Sequence, residues 1–266
     1  MRSRMRGSTT AAGLALALSA MVASPGTASA ESNGGTRIMP LGDSITDGLD
    51  IPSGYRIGLW QRLVAADYQA DFVGSQFNGP SSLPDHDFEG HPGWRIHEVD
   101  AKIVDWLRTS KPHSVLLHIG TNDVLNANAS TAPDRLSTLI DHITATRPTA
   151  EVFVATIIPM GWAEGDAAVQ AYNNAIPAIV KSKVRNGKRV HLVDMHSALT
   201  ASDLGADAVH PTAGGYDKMG AVWYRALASV PGAAGPRHDL AWLWSKRVSR
   251  RALPSTSVTP RVARHR

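Results

Sequence analysis

From about residue 37 the chain carries two kinds of apolar segment in alternation. Short strand-like runs lie at 37–41, 71–74, 114–119, 151–158 and 189–193, and those at 114–119 and 151–158 are apolar at nearly every position. Such runs predict strands buried on both faces. Longer segments between them space their apolar residues at helical intervals. In 56–67 these are Ile57, Trp60, Leu63 and Val64; in 94–108 they are Ile96, Val99, Ile103, Trp106 and Leu107. Further helices are expected over 133–146, 167–184 and 212–230, with Pro177 kinking the second of these and Pro211 at the entrance of the last. Strands alternating with helices predict an α/β protein: a three-layer α/β/α sandwich around a five-stranded parallel sheet, flavodoxin-like, in the order 2-1-3-4-5. The stretch 76–93, rich in Gly, Pro, Asp and His, reads as a long functional loop.

The two ends of the chain differ from this body. Arg2, Arg4 and Arg6 precede a small-residue apolar run from Thr9 to Ala23, and Ala28-Ser29-Ala30 forms an A-x-A site. This pattern predicts a secretory signal peptide over residues 1–30 and a secreted, extracellular protein. The chain has no cysteine, so stability must come from its core. The net charge is +4; with +3 in the leader and +7 in residues 234–266, the body 31–233 carries −6. The basic pI therefore belongs to the ends, and no nucleic-acid partner is expected for the body. No membrane partner is expected either, and a monomer is expected. Residues 31–233 read as one catalytic domain and 234–266 as a basic, disordered tail, although Trp242 and Trp244 could touch an acidic polysaccharide.

Four short motifs fall where the carboxyl ends of the strands should lie, the edge on which open α/β sheets bind ligands. They are Gly42-Asp43-Ser44, Gly74, Gly120-Thr121-Asn122-Asp123 and Asp207-Ala208-Val209-His210. A serine just past a strand end suits a nucleophile, but needs a base. His210 can be that base and Asp207 can orient it, leaving the Ser44 and Gly74 backbone N–H groups and the Asn122 side-chain amide as oxyanion donors. Taken singly, Asp43-Ser44 could be a helix cap, Gly74 a strand end and Asn122-Asp123 another cap.

Together these residues resemble the SGNH (GDSL-type) hydrolases across about 37–230. The resemblance implies the SGNH hydrolase fold, with Ser44, Gly74, Asn122 and His210 in the four named roles and Asp207 completing the triad. Ile38 through Thr46, Gly54-Tyr55-Arg56, Phe72-Val73-Gly74-Ser75 and Glu89-Gly90-His91-Pro92-Gly93-Trp94 are similar to carbohydrate esterase family 3. That similarity implies an acetyl xylan esterase acting on acetylated plant polysaccharide. A serine mechanism built on Ser44 and His210 needs no metal and no organic cofactor.

Other residues offer further candidates. Asp43, Trp94 and Arg95 are candidate substrate contacts, although Trp94 could instead be buried at the start of a helix. Asp85, His86, Asp87 and His91 could suggest a metal site, but such loop clusters are commonly solvated. Asp194 and His196 form a rival Asp/His pair close to a strand end. His118, within a strand, is expected to be a hydrogen-bonded core histidine. Asn128-Ala129-Ser130 fits the glycosylation pattern.

Overall fold

The computed structural model describes residues 33–125 and 129–236. The proposed leader, Asn128 and the tail tryptophans lie outside the described residues. The elements run β1 (Thr36–Gly42), α1 (Ser44–Asp47), α2 (Arg56–Ala65), β2 (Ala70–Phe72), β3 (Gln76–Phe77), β4 (Asp87–Gly90), α3 (Ile96–Ser110), β5 (Ser114–His118) and α4 (Thr121–Val124). They continue as α5 (Ala132–Thr146), β6 (Glu151–Ala155), α6 (Ala163–Asn173), α7 (Ile176–Arg185), β7 (Val190–Val193) and α8 (Ala213–Ser229). The structure is an α/β fold with a mostly parallel central sheet and helices around it.

The five expected strands are β1, β2, β5, β6 and β7, and all pair in parallel. Side chains alternate between two cores, as a strand period of two requires. Met39, Leu41, Val115, Leu117, Val152 and Val154 face one core with α3, α5, α6 and α7. Ile38, Leu116, Phe153 and Val193 face the other with α2 and α8. Each buried Leu, Ile, Val or Phe contributes about 1.5–3 kcal/mol. No helix among the described residues is long and apolar enough to cross a membrane.

Three expectations change. The loop 76–93 contains two strands, since β3 pairs antiparallel with β4 and β4 pairs parallel with β1. The single helix expected over 167–184 is two helices, and Pro177 sits in the first turn of the second. Proline lacks an N–H and fits best where none is needed, so it marks a start here rather than a kink. Finally, the packed body continues past 233. Ser114 Oγ donates to the Ala233 carbonyl at 2.7 Å, and Ala234 is buried.

The β4 insertion explains a proline in a central strand. Through Ile38, β1 pairs with β2, level with Phe72; from Leu41 it pairs with β4, level with Glu89. Ile38 O accepts from Val73 N and Gly42 O accepts from His91 N, so alternate β1 residues turn their polar groups to this side. Pro40 lies between them. Its missing donor falls at the junction where β2 leaves and β4 enters, a place where no ladder bond is lost.

Candidate active site

Gly42 ends β1, and Asp43 then caps α1, its side chain accepting from Ile45 N at 3.0 Å. This cap fixes Ser44 as the first residue of a helix at the carboxyl edge of the sheet. After β7, Asp207 folds its own loop. Its Oδ1 accepts from Val209 N and His210 N, both at 3.0 Å, and its Oδ2 meets His210 Nδ1 at 2.5 Å. The loop is clamped by Gly205 N donating to His210 O at 2.7 Å and by Gly161 N donating to Ala208 O at 2.8 Å. Ala208 takes a φ of +60°, a conformation that costs a residue with a Cβ about 1 kcal/mol or more.

This loop sets the other imidazole nitrogen, His210 Nε2, 2.8 Å from Ser44 Oγ. Residues 166 positions apart in sequence thus form a Ser–His–Asp relay. Partial burial pushes the Asp207 carboxyl up, but the hydrogen bonds from the His210 ring and the two backbone N–H groups outweigh this and hold it at about 2. Asp207 is therefore an anion at neutral pH, able to hold His210 in the tautomer whose Nε2 accepts from the serine.

Asn122 lies on α4, next to the same edge. Its Nδ2 donates to the Trp94 carbonyl at 3.0 Å. The neighbouring Asp123 is buried; it accepts from Ile96 N at 2.9 Å and from Arg135 at 2.7 Å, which ties α4 to α3 and α5.

Gly74 is placed differently from the sequence expectation. It follows Phe72, which is level with Ile38, so it leaves the sheet near the level of Pro40, about 7 Å below Gly42. Its Cα is packed against the next strand: an added Cβ would lie 1.9 Å from the Phe88 carbonyl oxygen. Gly74 is a close-approach glycine below the catalytic edge. The strand that reaches the edge beside β1 is β4, with Gly90 level with Gly42. It continues into a turn, His91-Pro92-Gly93-Trp94, in which Trp94 N donates to His91 O at 3.1 Å and Gly93 has φ +79°. Proline second and a positive φ third make this a type II turn, whose hydrogen bond leaves the Gly93 N–H uninvolved. Gly93 is exposed, with open space around its Cα.

The three candidate substrate contacts separate. Asp43 is fully buried and caps α1, so it cannot touch substrate; burial pushes its carboxyl up to about 7. Trp94 is half-buried and stacks on His91 (4.2 Å between centroids), and His91 stacks on Trp106 (4.8 Å). The Arg95 side chain is partly exposed and turned to Glu98, whose carboxylate accepts from Arg95 N at 2.9 Å.

The remaining groups do not form a second centre. His196 lies 3.5 Å from Asp166, and Asp194 accepts from Ser197 N, so the rival pair is divided. Asp85 accepts from Phe72 N at 2.7 Å, His86 approaches Pro80 O at 3.3 Å and His91 meets Glu89, so that cluster does not converge. Among the described residues, the metal-ligating types that do converge are Asp50, Asp207 and His210, with ligand atoms within 4.8 Å. A cation there would compete for the proton that His210 shares with Asp207. Asp50 was not foreseen, because nothing in its sequence surroundings marks it. His118 is buried as expected but not hydrogen-bonded: neither ring nitrogen has a partner, and burial pushes its pKa down to about 4.

Residues 41–218 match the GDSL-like Lipase/Acylhydrolase family. The chain belongs to that family. It is similar to a family 3 carbohydrate esterase from Clostridium thermocellum, with 40% identity, TM-score 0.67, and coverage of 73% of this chain and 96% of the other. A family 3 carbohydrate esterase from Talaromyces cellulolyticus is 29% identical, with TM-score 0.65 over 73% of this chain and 97% of that one. A multidomain esterase from Ruminococcus flavefaciens is 34% identical over 240 residues, 79% of this chain but 31% of its own length. A putative endoglucanase X from Acetivibrio thermocellus is 37% identical over 135 residues, 49% of this chain and 56% of that protein. The chain therefore spans about a third and about half of these two curated relatives.

Proposed function

We propose that this GDSL-family hydrolase is a secreted deacetylase of plant polysaccharide working through an acyl-enzyme on Ser44. The observation that carries the chemistry is the 2.8 Å approach of His210 Nε2 to Ser44 Oγ, with Asp207 behind the imidazole. In this reading Ser44 Oγ attacks the ester carbonyl as His210 Nε2 takes its proton. The tetrahedral oxyanion meets the Ser44 N–H, the Asn122 amide and the Gly93 N–H, the last in the role expected of Gly74. The C–O bond to the sugar breaks as His210 returns the proton to the leaving hydroxyl. Water, deprotonated by the same Nε2, then attacks the acetyl-serine, and collapse releases acetate and the free serine. No step needs a metal or an organic cofactor.

The carbohydrate substrate is supported by the 40% identical family 3 carbohydrate esterase, and the acetylated xylan by the motif resemblance around Ser44. Export is supported by the leader pattern at 1–30 alone. It would appear as a secreted protein beginning at Glu31.

The test is acetate release from acetylated xylan, acetylated pectin, chitin and a lipid ester. Release should be fastest from xylan, and Ser44→Ala should remain folded with almost no turnover. Turnover retained by Ser44→Ala overturns the nucleophile; preference for the lipid ester overturns the substrate.

A further inference from the structure

The turn that carries Gly93 and Trp94 is braced from below by a buried carboxylate. Glu89 is fully buried in β4. A buried carboxylate is costly unless it is hydrogen-bonded, and this one is well provided. Its Oε2 accepts from Ser75 N at 2.9 Å, and its Oε1 accepts from Ser75 Oγ at 2.7 Å. The same Oε1 meets His91 Nε2 at 2.6 Å. His91 is the first residue of the turn. Its N–H is held by Gly42 O at 3.0 Å, its carbonyl closes the turn, and its ring stacks on Trp94. The Trp94 carbonyl in turn holds Asn122 Nδ2.

We infer that Glu89 is a positioning residue of the oxyanion site: through His91 it fixes the turn that presents the Gly93 N–H and orients the Asn122 amide. This rests on the serine-esterase reading above. Asn122 has two amide hydrogens. The bond from Nδ2 to the Trp94 carbonyl sets the plane of that amide. Any slackening of the turn would move both donors together. A displacement of about 1 Å in such a group costs on the order of a hundredfold in rate. Glu89 and Ser75 touch no reacting atom, so the effect must pass through the turn.

The experiment is Glu89→Gln in the full chain, with kcat and KM for a nitrophenyl acetate substrate and a thermal melt. The amide keeps the shape but can no longer accept at every position. The expected result is a fall of about tenfold to a hundredfold in kcat, with KM within about threefold and an unchanged pH profile of kcat/KM. Adding Glu89→Gln to Asn122→Ala should cost much less than adding it to the native chain, because one of the donors it positions is already gone. Should Glu89→Gln fail to fold, His91→Phe keeps the stacking and removes the Nε2 bond, and should show the same kcat loss and the same shrinkage. A folded variant with native kcat, or an equal loss in both backgrounds, overturns the brace. Retained turnover by Ser44→Ala would instead remove the underlying reading.

Discussion

His210 and Asp207 lie three residues apart and meet at 2.5 Å, held in one loop by the hydrogen bonds that Asp207 accepts from the Val209 and His210 backbones. The orienting carboxylate thus shapes the loop as well as the imidazole. Asp207→Asn should keep the two backbone bonds through its carbonyl oxygen but place an NH₂ against Nδ1, favouring the wrong tautomer. Turnover should fall about 10²- to 10⁴-fold with little change in melting temperature. The Asp207 carboxyl is held near 2 when folded, so what its ionic bonds add to stability is present above the ordinary carboxylate range and lost as pH falls through about 2. Activity at pH 5–8 should therefore carry no limb from Asp207. Near-native kcat in Asp207→Asn would show that something else orients His210.

Gly74 and Asn122 should respond differently to substitution. In Gly74→Ala the new Cβ would lie 1.9 Å from the Phe88 carbonyl oxygen and 2.0 Å from its carbon, both backbone atoms that cannot swing aside. The β2–β4 junction must open, so the expected result is a melting temperature lower by many degrees and poor recovery of folded protein. Asn122→Ala should fold normally and lose about 10²- to 10³-fold in kcat, the usual cost of one oxyanion donor. A Gly74→Ala protein that folds well but is slow would return Gly74 to the oxyanion site.

Why Gly74 lies below the sheet edge while Ser44, Asn122, Asp207 and His210 come to it is a matter of register. Apolar runs such as Ser114–His118 announce strands buried on both faces, and the motifs after β1, β5 and β7 all fall on one edge. β2 also ends in a glycine, but its short pairing with β1 stops at Phe72, and β4 takes over the upper half. β4 was illegible because its sequence, Asp-Phe-Glu-Gly, looks like solvent-facing loop. Its polarity reflects buried side chains that have partners, and Glu89 finds them in Ser75, distant by 14 positions, and in His91. Hydrophobic periodicity carries no signal for a buried carboxylate whose partners come from another segment. The four-residue helices α1 and α4 are likewise too short to show a period.

Arg56 should not tolerate replacement by lysine. It is fully buried, its Nη1 donates to His86 O at 2.9 Å and Asn78 O at 3.2 Å, and its Nη2 donates to Asn78 Oδ1. Its guanidinium lies 3.8 Å over the Phe88 ring, and Asn78 passes the tie on to Asp47 at the end of α1. A lysine offers neither the planar fork nor the stacking face. Arg56→Lys should lose about 2–4 kcal/mol in urea unfolding, and Arg56→Ala more, since breaking a buried charge site leaves its acceptors unpaired. Unfolding midpoints within error of the native chain would show that the acceptors are satisfied another way.

Stability should fall as pH rises through neutrality, and Asp85 should account for part of the fall. Burial pushes its carboxyl up to about 7, against an ordinary value of 3.8, and the nearby Asp87 and Asp71 add to this. The sign follows from proton counts. Between about pH 4 and 7 the folded chain holds a proton on Asp85 that the unfolded chain has released, so folding is favoured at the acid end of that window and penalised above it. Asp43, also pushed up to about 7 by burial, has the same sign. Asp85→Asn keeps an acceptor for Phe72 N and Asn33 Nδ2 without the ionisable proton. The difference in unfolding free energy between pH 5 and pH 8 should therefore shrink in the variant by on the order of 1–2 kcal/mol, leaving the Asp43 share in place. Urea unfolding at the two pH values measures it, and an unchanged difference would show that Asp85 is ionised in the folded protein throughout that range.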